Sequence, residues 1–192
     1  MTLFEYVREG DWSVVAGYGL FVVLMVAGYY YNITFVQLGL IDLGTRLVGM
    51  SETVVSMWMA ALALVTLVVA VVTGVTMDRR GWSTDLRTKL RLLFGVVCVQ
   101  FALTLVAPMI RSVPVFGAWI VLASIGLGIG FPVSFSLAID LVPVPDRGYV
   151  AAAITAIAYF SANAIPLSWS VDVFSRLMVA AMAPGVVVLG IL

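Results

Sequence analysis

The sequence of 192 residues contains no histidine, one cysteine and one lysine. Without imidazole groups, the chain lacks the residues for a zinc–histidine site, for haem ligation by histidine and for Ser-His or Cys-His catalysis. The single cysteine, Cys98, excludes a disulfide within the chain. The single lysine, Lys89, is predicted to lie in a loop, which excludes a retinal Schiff base in the middle of a helix. We therefore expect no enzyme activity, no metal site and no cofactor.

Charge is also scarce. Ten basic and ten acidic residues make up 10% of the chain and cancel, whereas 63% of the residues are hydrophobic. Soluble domains carry about 25% charged residues. A chain with no net charge offers nothing to attract nucleic acid, so we expect no nucleic-acid partner. The composition predicts an integral membrane protein in contact with membrane lipid.

Long apolar stretches fill the space between the charges. The uncharged runs are 12–41, 53–77, 92–110, 112–139, 148–171 and 177–192. A spanning helix needs about 20 apolar residues. Five runs are long enough, and the sixth is long enough if it starts at Val173 and Arg176 extends to the headgroups. We predict an all-α domain over residues 1–192 with six transmembrane helices, at about 13–38, 52–75, 90–109, 115–139, 149–168 and 173–192.

The placement of basic residues predicts the orientation, because cytoplasmic loops are rich in lysine and arginine. With the N-terminus in the cytoplasm, three arginines lie outside: Arg46, Arg111 and Arg176. Seven basic residues then lie inside: Arg8, Arg79, Arg80, Arg87, Lys89, Arg91 and Arg147. We predict that both termini are cytoplasmic. The excess of arginine over lysine favours a GC-rich prokaryote, and we expect a multi-pass protein of the cell (inner) membrane.

Two charged loops carry residue patterns that the composition does not explain. Residues 74–81 read Gly-Val-Thr-Met-Asp-Arg-Arg-Gly, between the second and third predicted helices. Residues 143–148 read Pro-Val-Pro-Asp-Arg-Gly, between the fourth and fifth. Both loops fall on the predicted cytoplasmic side. The patterns Gly-x-x-x-Asp-Arg-x-Gly and Pro-x-Asp-Arg-Gly resemble inner loops of the N-terminal six-helix half of major facilitator superfamily transporters.

This resemblance implies a function. In the family, two six-helix halves enclose a site for a small solute near the membrane midplane and expose it alternately to each side. The chain would then be a half-transporter that needs a second copy, as a homodimer, or a second half-transporter chain. The implied conformational-switch residues are Gly74, Asp78, Arg79, Gly81, Asp146, Arg147 and Gly148. The alternative is a non-transporting membrane scaffold subunit that reuses the same fold.

The basic residues after the first loop depart from the family pattern. The family usually places them directly after its second glycine, whereas here they are Arg87, Lys89 and Arg91. Their simplest interpretation is a basic loop that contacts anionic headgroups. In the family, the loop acid pairs with arginines and caps a helix of the opposite half. Because Asp78 follows a helix, where an acid is unfavourable, we expect Arg79, Arg147 or a neighbouring helix N-terminus to compensate it.

Polar side chains within the apolar runs are candidates for a cavity lining. Lipid does not solvate an amide, so Asn32 and Gln37 should face the bundle interior. Thr155, Tyr159 and Asn163 are spaced four residues apart and share one face of the fifth predicted helix. Helix-to-helix hydrogen bonds are the alternative interpretation. The full set of candidates is Tyr29, Asn32, Gln37, Gln100, Ser134, Thr155, Tyr159 and Asn163.

Local signals predict several details of the helices. Asp42 and Arg46 have the spacing of a helical ion pair, and Ser51 is a plausible start of the second helix. Gly126 and Gly130 form a face of small residues that would let two helices approach closely. Pro132 should bend the fourth predicted helix.

Overall fold

The computed structural model describes residues 7–25, 39–149 and 152. Every regular element named within these residues is helical. A π-helix, Leu43–Leu47, directly follows the short helix that ends at Asp42. Short 3-10 turns cover Ala107–Met109 and Val144–Asp146. The α-helices are α1 (Trp12–Met25), α2 (Gly39–Asp42), α3 (Glu52–Arg79), α4 (Leu86–Val106) and α5 (Val113–Leu141).

Three helices are long and apolar enough to cross a membrane: α3, α4 with its 3-10 extension, and α5. They correspond to the second, third and fourth predicted spans, and they confirm a helical structure with helices apolar enough to span a membrane. The first predicted span is described only as far as Met25. Residues 26–38 and the predicted fifth and sixth spans lie outside the described residues, so the count of six spans stays a prediction.

The starts of α3 and α4 are set by capping side chains. Ser51 accepts a hydrogen bond from the Val54 amide at 3.4 Å, as the sequence predicted. Asp85 accepts one from the Arg87 amide at 3.1 Å and another from the Thr88 hydroxyl. These bonds satisfy amides that have no partner inside the helix. The prediction that this helix begins at Leu90 was therefore wrong, because the first apolar residue marks entry into the membrane and not the helix start.

Helices α3 and α5 run parallel and pack closely along their length. The Thr66 hydroxyl of α3 donates to the Ser124 carbonyl of α5 at 3.4 Å. A Cβ added to Gly128 would lie 2.5 Å from the Cβ of Val69, so only glycine permits this approach. Gly126 instead faces Gln100 of α4. A close approach between α3 and α5 thus falls at Gly128, which the predicted Gly126–Gly130 face did not include.

Helix α4 runs antiparallel to α5. The Trp119 indole, near the start of α5, donates to the Leu103 carbonyl near the end of α4 at 2.9 Å. At the opposite end, Lys89 in the first turns of α4 meets Asp140 in the last turn of α5. Since α5 contacts α1, α3 and α4, it is the central helix of the described bundle. It is continuous through Pro132.

One end of this bundle is closed by apolar side chains, and we call it the apolar end. The side chains of Leu40, Leu43, Val55, Ile110 and Phe116 are at most 1% exposed there. Asp42 and Arg46 form the predicted ion pair on the outer side of this end, with 3.0 Å between Oδ1 and Nε. The short helix and π-helix that follow residue 38 therefore fold back onto α3 and α5.

Candidate functional site at the loop end of the bundle

The two loops singled out in the sequence lie at the same end of the bundle. Helix α3 ends at Arg79, and residues 80–85 turn directly into α4. The first turns of α4 contact the last turn of α5 through Lys89 and Asp140. The C-termini of α3 and α5 therefore lie together, opposite the apolar end. We call this the loop end.

The first loop is built around a helix stop. Gly81 has a φ of +68°, a left-handed conformation that favours glycine. The Trp82 amide donates to the Met77 carbonyl at 2.9 Å, and the Gly81 amide donates to the Asp78 carbonyl at 3.2 Å. These two bonds form a Schellman motif, which satisfies carbonyl groups at the end of a helix. The requirement for glycine at position 81 thus has a local structural cause.

The charged side chains of this loop point outward. Asp78 and Arg79 are exposed, and neither belongs to an ion pair among the contacts described for residues 39–149. Compensation of Asp78 by Arg79 or Arg147 is therefore not seen within the described chain. A Cβ added to Gly74 would meet nothing within 4 Å. The space beside Gly74 is open in the single chain.

The second loop is tied to α1 and to its own backbone. The Tyr18 hydroxyl donates to a carboxylate oxygen of Asp146, which lies 128 residues away in sequence. The Arg147 guanidinium donates to the Val142 carbonyl at 3.3 Å. A Cβ added to Gly17 would lie 2.7 Å from the Leu141 carbonyl oxygen, so α1 approaches the end of α5 closely. Gly148 is exposed and has no such constraint.

A buried ion pair lies beneath the loops. The Lys89 ammonium lies 2.7 Å from Oδ2 of Asp140, and the lysine side chain is 1% exposed while the aspartate is 32% exposed. The prediction that Lys89 contacts headgroups from a loop was therefore wrong. Once Asp85 starts the helix, Lys89 falls on the face toward α5. The Asp85-x-x-Thr88 capping pattern was the sequence signal that could have shown this.

Two of the predicted lining residues are described, and both are interior. Gln100 is 1% exposed and Ser134 is 5% exposed. Nearby hydroxyls of Thr104 and Ser124 donate to carbonyls one turn earlier in their own helices. The structure thus places Gln100 between α4 and α5, facing Gly126, and buries Ser134 within the described bundle. The other candidates lie outside the described residues: Tyr29, Asn32, Gln37, Thr155, Tyr159 and Asn163.

A surface groove lies near the apolar end, far from the loops. Its volume is about 640 Å³ and its lining is almost wholly apolar. Trp58 of α3 and Gly117 of α5 face each other there, because a Cβ on Gly117 would lie 2.8 Å from the indole ring. None of the predicted lining residues belongs to this groove. It does not have the polar character expected of a site for a hydrophilic solute.

Asp85, at the start of α4, is a carboxyl group of the loop end whose pKa is shifted. Donation by the Thr88 hydroxyl lowers the pKa of Asp85 below its ordinary value, and desolvation of the carboxylate opposes this shift without cancelling it. Within the described residues, no three His, Cys, Asp or Glu side chains lie close enough together to hold a metal ion.

Comparisons with known proteins gave no match: no family model, no curated protein and no solved structure is similar to this chain.

Proposed function

We propose that the chain is one half of a membrane transporter of the major facilitator type, which moves a small solute by alternating access together with a second copy or a second half. The observation that carries the proposal is the common location of the two loops, residues 74–81 and 143–148. Residues 74–81 contain the last turns of α3 and its C-terminal turn, residues 143–148 follow the end of α5, and both segments lie at the loop end. Residues so arranged can contact a partner half at one membrane face.

The open space beside Gly74 and the outward position of Asp78 are consistent with a partner at this surface. Helix α3 is the least buried of the three long helices. Of its apolar stretch, 11% is buried, against 56% for α5. The loop acid Asp78 has no ion-pair partner among the described contacts of its own chain. In a transporter of this type, the second half would cover α3 and supply that partner.

The proposal is tested by asking whether Asn163 lines a water-accessible space. A single cysteine is placed there in a Cys98→Ala background, and a membrane-impermeant thiol reagent is applied to each side of sealed proteoliposomes. Alternating access predicts that the cysteine reacts from either side. Val71→Cys is the control, because the side chain of Val71 is apolar and exposed on α3, and a cysteine facing lipid or a partner helix should stay unreactive.

The number of chains is measured in parallel, by mass in nanodiscs at low protein concentration. Two chains, or one chain with a co-purifying partner, support the half-transporter. A single chain whose Asn163→Cys variant reacts from neither side contradicts transport, and it favours the scaffold subunit instead.

A further inference from the structure

Several acidic residues at the loop end, though not the exposed Asp78, have a hydrogen-bond or ion-pair partner other than an arginine side chain. The carboxylate of Asp140 pairs with Lys89, and that of Asp146 accepts the Tyr18 hydroxyl. Asp85 caps α4, and Asp11 accepts the Ser13 hydroxyl at 2.7 Å. Asp85 also attracts the nearby Arg87 guanidinium electrostatically, whereas the contacts given for the other three carboxylates involve no arginine.

Four arginines around the α3–α4 turn are exposed: Arg79, Arg80, Arg87 and Arg91. None of them belongs to the ion pairs described within residues 39–149. The guanidinium of Arg80 lies over the ring of Trp82, with 4.9 Å to the centroid. Positive charge therefore accumulates on the outer surface of this turn.

The burial of Lys89 sets the direction of its neighbours. Successive residues of an α-helix are about 100° apart, so residues two before and two after Lys89 point away from α5. Arg87 and Arg91 therefore lie together on the outer face of α4, one turn apart. Their Cβ atoms are then about 6 Å from each other. Two guanidinium groups at this spacing can hold one phosphate group between them.

The position of this pair along α4 matches the headgroup layer. The uncharged run 92–110 begins directly after Arg91. A helix of that run spans about 28 Å, close to the thickness of the hydrocarbon core at about 30 Å. Arg91 thus lies at the hydrocarbon boundary, and Arg87 lies about 6 Å further out.

We propose that Arg87 and Arg91, with Arg79 and Arg80 nearby, form a binding site for the headgroup of an anionic phospholipid in the leaflet at the loop end. Guanidinium groups bind phosphate through paired hydrogen bonds, and each basic residue near an anionic surface contributes about a fivefold preference. The site does not depend on transport, because it needs only the position of α4 in the membrane.

The test uses the purified full chain in phosphatidylcholine vesicles that contain a trace of spin-labelled phosphatidylglycerol or spin-labelled phosphatidylcholine. The spectrum gives the fraction of each label that is restricted at the protein surface. We expect phosphatidylglycerol to be preferred, and we expect Arg87→Gln/Arg91→Gln to lower that preference at least about fivefold. Arg46→Gln is the control, since Arg46 lies at the apolar end and is already paired with Asp42.

Each outcome decides the proposal. An unchanged preference in the double variant overturns it, as does an equal loss in Arg46→Gln. Loss of the preference on adding inorganic phosphate at constant ionic strength would assign the arginines to a soluble anion instead. Thermal unfolding in the same vesicles shows that the variants are folded, and for these exposed residues we expect no change.

Discussion

The two ends of the described bundle are held together by different kinds of contact. At the apolar end, Leu43, Val55 and Phe116 are buried with no charged side chain among them. At the loop end, α5 is joined to α4 by Lys89 and Asp140 and to α1 by Tyr18 and Asp146. Apolar packing is non-directional, whereas an ion pair or hydrogen bond can be exchanged for water, a proton or a polar group of another chain. The loop end is therefore the end suited to opening.

The largest effect is expected from removing Asp140. In Asp140→Asn, the Lys89 ammonium stays buried without its carboxylate, and breaking a buried pair costs about 3–5 kcal/mol. Because Asp140 itself is 32% exposed, we expect a loss near the lower bound, about 3 kcal/mol. The free energy of unfolding is measured by denaturant titration in mixed micelles.

Lys89→Met supplies the matched comparison. It leaves only the partly exposed Asp140 unpaired, so it should cost less than Asp140→Asn. The double variant Lys89→Met/Asp140→Asn should recover part of the loss, because no buried charge remains. Strictly additive losses would show that the two groups are not coupled, and that the loop end is not held by this pair.

A smaller effect is expected from overfilling the apolar end. In Gly44→Ala, the new Cβ would lie 2.5 Å from Cγ2 of Val55 and 3.3 Å from Cζ of Phe116. Overpacking of this kind costs about 1–3 kcal/mol. Gly74→Ala is the control, because its Cβ meets nothing within 4 Å and alanine favours the helix by up to about 1 kcal/mol. Equal stability of Gly44→Ala and Gly74→Ala would mean that the side chains around Gly44 relax to accommodate the methyl group. That result would contradict the close packing described for the apolar end.

Tyr18→Phe should have a local effect at the loop end. It removes one hydrogen bond to Asp146 between partly buried groups, which is worth about 1 kcal/mol. We expect faster hydrogen exchange of amides in residues 143–148 and little change at the apolar end. Tyr149→Phe, whose side chain is 78% exposed, is the control and should leave exchange unchanged. Equal acceleration at both ends would refute the separation of the two regions.

The smallest effect concerns the charge of Asp85. The Thr88 hydroxyl lowers the pKa of this carboxyl below 3.8, so the folded state favours the ionised form. The stabilisation is fully present above the ordinary pKa and is lost as the pH falls through the lowered pKa. Asp85→Asn keeps an acceptor oxygen and removes the charge. Wild type should therefore be more stable than this variant at neutral pH, and the difference should narrow below about pH 4. A difference that is constant with pH would contradict the assigned cause.

The sequence predicted what depends on composition and local spacing. Apolar runs located the three described spans, and the Ser51 cap and the Asp42–Arg46 pair followed from nearest neighbours along a helix. The burial of Lys89 was missed because a membrane boundary was taken for a helix boundary. The contact of Gly128 with α3 was not predicted, because several glycines lie close together in α5. Which of them faces α3 depends on the rotation of α5 about its own axis, and the sequence does not give this rotation. The Tyr18–Asp146 bond joins residues too distant in sequence for local reasoning.

The burial of Lys89 has a practical consequence for chemical labelling. Since the sequence contains one lysine, the ε-amine of Lys89 is the only side-chain amine that an acylating reagent can modify. In the described structure that amine is 1% exposed and lies against the Asp140 carboxylate, so a reagent in solution cannot reach it. Acylation of Lys89 therefore requires the loop end to separate. The rate of this acylation, measured by mass spectrometry on the wild-type chain, reports how often α4 and α5 separate.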